Sequence, residues 1–200
     1  MRYLHICVLL SCLSYSNLYP QTWERAFGYI PGKEEGANTI CKLYDGNFVA
    51  GGYSEETNTW TARMLKISPY GDTLWSKSLL VPNSGRTYIY ASLSLNDGGF
   101  LVAGDGRVVT ESGNSITSTG FVAKYDLNGN QIWVRNYLAN NVLNYILEIT
   151  KANDGGYFCT GNQYIMKIDD NGFYQWHKTD DIYGLTGIGS VVASNDFYLG

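Results

Sequence analysis

Two acidic turns contain the residues that most resemble a metal site. Residues 126–130 (Asp-Leu-Asn-Gly-Asn) and 169–172 (Asp-Asp-Asn-Gly) alternate oxygen donors as a Ca²⁺-binding loop does. A complete loop supplies about six to eight oxygen ligands and usually a later bidentate Glu. Neither segment has that Glu, and the same residues form Asx turns for conformational reasons alone. We therefore interpret both segments as structural turns and predict no metal site.

His177 is the residue best suited to acid–base chemistry, because an imidazole titrates near neutrality. It is the only histidine beyond His5, and it follows Trp176 in a predicted outer strand. The chain has no Gly-x-Ser-x-Gly nucleophile motif and no phosphate-binding Gly-Lys-Ser/Thr. A solvent-facing His177 is the favoured interpretation, and the sequence predicts no catalytic and no cofactor-binding residue.

The aromatic residues fall into two groups. Trp75, Trp133 and Trp176 recur at equivalent positions, which indicates a structural role. Other aromatic residues are irregularly placed, and some are expected to line a face or central channel, where they could stack on a sugar or a peptide. This second group consists of Trp60, Tyr88, Tyr90, Tyr145 and Tyr183.

The acidic turns and the three recurring Trp residues belong to a repeated hairpin, which consists of a strand, a Gly-containing turn and a second strand that reaches a Trp. Three copies occupy residues 61–75, 120–133 and 164–176. Extending the superposition gives a unit of four strands and about 40–50 residues, which is typical of a β-propeller blade. The predicted fold is all-β, a propeller of four-stranded antiparallel blades. The blades span about 39–80, 88–137 and 145–178, and a fourth starts at about 188–200.

The connections between strands support this assignment. Asp-Gly and Asn-Asp-Gly-Gly supply the positive-φ residues of tight hairpin turns, with Gly98 at such a position. The copies differ mainly between their second and third strands. We predict loops over 54–59 and 105–119, and the longer one is either a functional loop or an ordinary surface loop.

The N-terminus reads as a secretory signal peptide over residues 1–21, with a basic Arg2 and an apolar run over 4–13. Cleavage is predicted just before Thr22. The apolar run is too short to span a bilayer, which needs about 20 residues. The alternative is a lipoprotein signal ending at Cys12. Either interpretation predicts a secreted or cell-surface protein, with no transmembrane helix in the mature chain.

Composition adds three expectations. The chain has 23 Gly and 17 Tyr but only 16% charged residues, which suits short strands and tight turns. Its net charge of −4 argues against a nucleic-acid partner. Cys41 and Cys159 lie in non-equivalent strands, so we expect buried, unpaired thiols rather than a disulfide.

The two ends of the chain complete the prediction. Residues 23–27 (Trp-Glu-Arg-Ala-Phe) match a fourth strand with no blade before it. In a closed ring this strand would complete the last blade and so protect exposed strand edges. The fourth blade has only its first strands. We therefore expect residues 22–200 to be the N-terminal part, about three and a half blades, of a longer propeller.

Residues 124–133 (Lys-Tyr-Asp-Leu-Asn-Gly-Asn-Gln-Ile-Trp) resemble the repeat of pyrroloquinoline-quinone-like propellers, also called quinoprotein-like. That resemblance implies a docking Trp between blades. Together with Asp-Gly-Gly-Phe and Val-Ala-Gly, the repeat is closer still to secreted bacterial propellers that resemble type IX secretion substrates. The resemblance covers residues 23–200 and is specific for fold only. The Ca²⁺ site, base carboxylate and cofactor contacts of the quinone-dependent enzymes have no match here.

The expected function is an exported, non-catalytic binding or scaffold module outside the cell. Its expected partner is an extracellular protein or a glycan. Two alternatives stay open. One is an enzyme, a quinoprotein-like dehydrogenase or a polysaccharide-active propeller, with catalytic residues beyond Gly200. The other is an accessory domain of a larger adhesin or enzyme.

Overall fold

A computed structural model describes residues 27, 32–56, 59–79, 81, 85–109, 116–137, 144–161 and 164–179. These residues form three four-stranded antiparallel sheets and contain no helix. Within each sheet the strands are neighbours in the order in which they follow one another along the chain. The predicted all-β fold with repeated four-stranded units is confirmed. The predicted signal peptide, the strand over 23–26 and the fourth unit lie outside the described residues.

The strand bounds follow the repeat closely. Sheet 1 comprises β1 (Glu35–Lys42), β2 (Phe48–Glu56), β3 (Thr59–Ile67) and β4 (Thr73–Leu79). Sheet 2 comprises β5 (Arg86–Ser94), β6 (Phe100–Val109), β7 (Ile116–Tyr125) and β8 (Gln131–Tyr137). Sheet 3 comprises β9 (Ile146–Lys151), β10 (Tyr157–Gly161), β11 (Tyr164–Ile168) and β12 (Tyr174–Thr179).

Six hairpin turns share one hydrogen-bond pattern. In the turn before β6, the Leu95 N–H donates to the Gly99 carbonyl at 2.9 Å, and the Gly98 N–H donates to the Leu95 carbonyl at 3.2 Å. The equivalent pair of bonds forms between the first two and the last two strands of every sheet. The glycine of each turn has a positive φ, which most other residues adopt only at a cost. These glycines are Gly46, Gly71, Gly98, Gly129, Gly155 and Gly172.

The core lies between the sheets, and sheet 2 contributes to both of its layers. On β6, Phe100 and Val102 join a buried cluster with sheet 1, whereas Leu101 and Ala103 join a cluster with sheet 3. This alternation follows from the two-residue period of a strand. A central sheet therefore needs apolar residues at consecutive positions, as the Phe-Leu-Val-Ala run of β6 provides.

Two of the predicted loops are wrong. Residues 105–109 and 116–119 belong to β6 and β7, which pair continuously from Phe100–Tyr125 to Val109–Ile116. The predicted loop over 54–59 likewise consists largely of the ends of β2 and β3. Pairing satisfies backbone groups that a loop would leave to solvent, and this gain outweighs the polar character of the segment. The first strand of sheet 2 begins at Arg86, two residues before the predicted start of the second blade at about 88.

Neighbouring sheets are joined by a contact that we call the interlock, a Trp ring packed on a glycine of the next sheet's last turn. Trp75 of sheet 1 covers Gly129 so closely that a Cβ there would lie 2.9 Å from the ring. Two residues after the Trp, Lys77 Nζ donates to the carbonyls of Asn128 and Gly129, at 2.8 and 2.7 Å.

Sheets 2 and 3 form the same interlock. A Cβ at Gly172 would lie 2.7 Å from the Trp133 ring. Arg135, two residues after that Trp, lies with its guanidinium carbon 4.8 Å from the Phe173 ring centre. The Tyr137 hydroxyl donates to the Gly172 carbonyl at 2.7 Å. Trp75 and Trp133 therefore have the structural role that their recurrence predicted.

The turn at Gly98 provides a test of the hairpin geometry. We expect Gly98→Val to lower the free energy of unfolding by more than about 1 kcal/mol, because a β-branched residue is strained at a φ of 89°. Gly98→Asn is the matched control, since Asn tolerates this conformation better. Chemical denaturation measures both, and equal stability of the wild type and the Val variant would contradict the turn assignment.

The interlock provides a second test on β8. Trp133→Ala should lower the free energy of unfolding by about 2 kcal/mol or more, because it removes the ring that covers the Gly172 turn. Ile132→Ala, on the neighbouring residue that is 56% exposed, should cost much less. Urea denaturation of the two variants measures the difference, and equal losses would mean that the interlock contributes little to stability.

Candidate functional site

One end of sheets 1 and 2 gathers aromatic and charged side chains that the interlock does not use. We call this group the aromatic end. It lies at the end of these sheets that is farthest from the Gly46 and Gly98 turns. The last residues of β2 and β6 and the first residues of β3 and β5 form it. Its members are Tyr53, Trp60, Arg86, Tyr88, Tyr90, Asp105 and Arg107.

The aromatic rings of this end contact one another across the two sheets. The ring of Tyr53 from sheet 1 meets that of Tyr88 from sheet 2 edge-on, with centroids 5.3 Å apart. Tyr88 and Tyr90 lie parallel with centroids 6.1 Å apart. All three side chains are half-buried. They form a firm aromatic surface that remains partly open to solvent.

The two arginines are each held in place from one side. The guanidinium carbon of Arg86 lies 4.3 Å from the centre of the Trp60 ring. Arg107 donates through Nε to Asp105 Oδ2 at 3.1 Å, and its guanidinium carbon lies 5.7 Å from the Tyr88 ring centre. Guanidinium groups stack on aromatic rings while still presenting N–H donors at their edges.

Asp105 is an uncommon residue for the inside of a sheet, because it is only 2% exposed. Burial raises the pKa of Asp105, and the hydrogen bond from Arg107 opposes that shift. Ser118 and Thr119 also oppose it, but neither makes a hydrogen bond of normal geometry to the buried Oδ1 atom. One oxygen of this carboxylate therefore orients Arg107, and the other is an acceptor without a partner among the described residues.

Arg86 and Arg107 face each other directly in the β5–β6 ladder. Like charges directly opposite on a sheet are destabilising. Both guanidiniums act on the Tyr88 hydroxyl, where they oppose the rise in pKa that burial causes. Burial, with the nearby Asp105, raises the pKa of Tyr90 to about 12. The Tyr88 and Tyr90 hydroxyl groups are therefore protonated donors at neutral pH.

A local irregularity in β5 positions Tyr90. The β5–β6 register shifts between Ile89 and Ala91, so Tyr90 lies in a bulge. Opposite this bulge, the Tyr88 carbonyl occupies the place where a Cβ of residue 104 would be, and only glycine fits. The same bulge recurs in β1, where the register shifts between Ala37 and Thr39, so it belongs to the repeat.

The structure brings together three of the five irregular aromatic residues, Trp60, Tyr88 and Tyr90. Tyr145 lies just before β9, close enough to influence the pKa of Tyr90, and its carbonyl accepts a hydrogen bond from the Tyr164 hydroxyl at 2.7 Å. Tyr183 lies outside the described residues. Sequence reasoning missed Tyr53 and the charged members of the aromatic end. Asp105 and Arg107 fall in the predicted loop over 105–119, and only the paired strands bring them together with Tyr53 and Arg86.

The acidic turns have the structural role that was predicted for them. Asp126 Oδ1 accepts the N–H groups of Asn128 and Asn130, at 2.9 and 2.8 Å. Asp169 Oδ1 accepts those of Asn171 and Phe173, at 2.9 and 2.7 Å. Each carboxylate thus closes its own turn. Among the described residues, no three His, Cys, Asp or Glu side chains cluster as a metal site would require.

A recurring ion pair was missed at the sequence level. In every sheet a Lys on the third strand reaches the Asp of the turn between the first two strands. Lys66 Nζ lies 2.7 Å from Asp45, and Lys124 Nζ lies 2.6 Å from Asp97. Lys167 pairs with Asp154 in the same way. The recurrence of Lys in the repeat was visible, but its partner could be found only from the strand pairing.

The remaining candidates are separate from the aromatic end. His177 lies on β12, where its Nδ1 is 2.8 Å from the Tyr174 hydroxyl. Cys41 and Cys159 are both free thiols. Cys159 is fully buried, as predicted, whereas Cys41 is half-buried, and burial raises the pKa of both.

A cleft of about 420 Å³ lies on the face of sheet 1 that points away from sheet 2. Its lining includes Phe27, Ala50, Leu65 and Ile67. The positions equivalent to Ala50, Leu65 and Ile67 in sheet 2 are the buried residues that pack on sheet 1, namely Val102, Ala123 and Tyr125. The cleft therefore matches a surface for packing a sheet better than a pocket for a small molecule.

Comparisons with known proteins leave the family open. No known protein family matches the chain, and no curated protein matches it. One similar solved structure is a protein of unknown function from Bacteroides caccae, at 16% identity and a TM-score of 0.48. The similarity covers 76% of this chain and 48% of the other, so this chain spans about half the length of that protein. Within the described residues no helix is long and apolar enough to cross a membrane.

The Lys–Asp pairs lead to a prediction about pH. The hydrogen bonds from Lys124 and from the Gly99 N–H hold the pKa of Asp97 below its ordinary value. Because the folded-state pKa of Asp97 is lowered, its ionised carboxylate stabilises the fold at any pH above the unfolded-state pKa of about 3.9. That stability is lost as the pH falls through the folded-state pKa. The wild type should therefore lose stability below about pH 5.

Asp97→Asn should reduce this acid-induced loss and cost less than about 1 kcal/mol at pH 7, because the Asp97 side chain is 55% exposed. Glu148→Gln on β9 serves as a control that removes a carboxylate outside the pairs. Denaturant titrations at a series of pH values measure both effects. An acid loss unchanged by Asp97→Asn would show that this pair does not contribute to it.

Proposed function

We propose that the chain is part of an exported β-propeller that acts as a binding or scaffold module outside the cell. The observation that supports it best is the interlock, in which a Trp covers a turn glycine between sheets 1 and 2 and again between sheets 2 and 3. A contact that links each sheet to the next can continue for as many sheets as the protein contains.

Each end of the three-sheet unit carries one half of a further interlock. On β12, Trp176 and Lys178 occupy the positions of Trp133 and Arg135, and Trp176 is 39% exposed. On sheet 1, the turn at Gly71 has the same hydrogen bonds and positive φ as the turns that receive a Trp. These complementary ends, with the cleft on sheet 1, support further sheets of the same repeat on both sides.

A closed ring of such sheets is the arrangement that would use both halves. It would also protect outer faces that are otherwise apolar. The resemblance of residues 124–133 to pyrroloquinoline-quinone-like propellers supports the ring and indicates no ligand. Export is supported by the signal-like sequence of residues 1–21, which would place any partner, an extracellular protein or a glycan, outside the cell.

A binding role is supported by how the polar residues are used. Asp126 and Asp169 cap backbone turns, and Asp97 and Asp154 are paired with lysines. The aromatic end is different, because its rings are partly exposed and its charged groups are grouped on one surface. Such a surface on paired strands suits recognition of a ligand.

Export and ring closure can be tested on the native protein isolated from its source. We expect N-terminal sequencing to begin at Thr22, and we expect an intact mass above that of the 22.3 kDa chain. Small-angle scattering should give the disc-like shape of a closed ring. An N-terminus at Met1 would contradict export, and a lipid-modified N-terminal Cys12 would indicate anchoring rather than release.

The non-catalytic assignment needs its own measurement. The native protein is titrated with pyrroloquinoline quinone in the presence of Ca²⁺ and followed by absorbance. We expect no saturable spectral change. Stoichiometric quinone binding would overturn the non-catalytic proposal and favour a quinoprotein-like dehydrogenase.

A further inference from the structure

We propose that the aromatic end binds a carboxylated sugar, with Arg86 as the main anchor for the carboxylate. The inference rests on the proposed binding function and names the chemical class of the ligand. It is carried by residues of sheets 1 and 2 that are all within the described part of the chain. It does not depend on how many sheets the whole protein contains.

The first argument is the uncompensated charge. Arg107 has a carboxylate partner in Asp105, whereas no carboxylate whose side chain the structure describes lies within salt-bridge distance of Arg86. Glu55, which lies opposite Trp60 in the β2–β3 ladder, is paired with Lys33 at 3.4 Å. The group of Arg86, Arg107 and Asp105 therefore has a net charge of +1 that an anionic ligand would neutralise.

The second argument is the cost of the arrangement. Two arginines directly opposite on neighbouring strands repel each other, and a sheet gains nothing from that pairing by itself. A sequence that keeps such a local conflict commonly does so at a functional site. An anion between the two guanidiniums would turn the repulsion into a shared attraction.

The third argument is the orientation of the donors. The Trp60 ring packs on the Arg86 guanidinium, and Asp105 Oδ2 accepts a hydrogen bond from Arg107 Nε. Less side-chain freedom is then lost when a ligand binds, which increases affinity. A planar guanidinium with its edge free matches a carboxylate with two parallel hydrogen bonds.

The fourth argument concerns the rest of the ligand. The half-buried rings of Tyr53, Tyr88 and Tyr90 lie beside the guanidiniums and combine an apolar face with a hydroxyl. A sugar ring offers the matching combination of apolar C–H groups and hydroxyls. These features favour an acidic sugar over a bare anion such as phosphate.

The test uses isothermal calorimetry with the native protein at low salt. The probes are oligosaccharides that carry galacturonate, glucuronate or N-acetylneuraminate, together with the methyl-esterified form of each. Esterification removes the charge and keeps the ring. We expect at least one acid to bind, and its ester to bind at least tenfold more weakly.

Variants then assign the interaction to Arg86. Arg86→Gln should weaken binding of the acidic sugar at least tenfold, and Arg86→Lys should restore only part of it because the fork geometry is lost. Lys42→Gln, which removes the same charge from an exposed position of β1, should leave the affinity unchanged. Denaturation midpoints of the variants verify that they fold.

Three outcomes would overturn the proposal. They are no binding of any acidic probe, equal binding of an acid and its ester, and full affinity in Arg86→Gln. Equal binding of an oligoglutamate peptide, with the same dependence on Arg86, would replace the sugar by an acidic peptide. None of these results affects the tests of export and ring closure, so the two proposals can fail separately.

Discussion

The arrangement of the three described sheets depends on the contact between a tryptophan ring and a glycine turn. Trp75 and Trp133 each project from the fourth strand of one sheet onto the last turn of the next. At that distance a side chain on Gly129 or Gly172 would collide with the ring. The glycine thus has two roles, because the same residue supplies the positive φ of the turn. This coupling fixes the position of each sheet relative to its neighbour, and the buried layers between the sheets form around it.

Most of the fold could be predicted because the relevant signals are local and are repeated. The predicted third blade, about 145–178, agrees within one residue at each end with sheet 3, which spans 146–179, since turn residues lie close to the ends of its strands. The error over 105–119 has a physical origin. Asp105, Arg107 and the Ser and Thr residues that follow are polar enough for a loop, yet long pairing between β6 and β7 overrides that preference. Local composition does not indicate the stability that a segment gains by pairing with another strand.

The candidate site was only partly predictable for the same reason. Trp60, Tyr88 and Tyr90 could be identified because they break the repeat. The opposition of Arg86 and Arg107 depends on the β5–β6 register, which shifts at the bulge in β5 and which local composition does not specify. The Lys–Asp pairs could not be predicted from the sequence either, since each links a turn to a strand about 13 to 27 residues away. A contact that depends on one strand register among several alternatives can be identified only in the structure.

The strand order within the sheets has a consequence for how the chain acquires its structure. Within each of the three described sheets, strands pair only with strands adjacent to them along the chain, so no pairing among β1 to β12 must wait for a distant segment. Short loops to close and local contacts are typical of rapid folding. Each sheet can form as soon as its fourth strand has left the ribosome or a translocation pore, and it then offers its Trp ring to the next sheet. Synthesis from the N-terminus would thus assemble the molecule one sheet at a time.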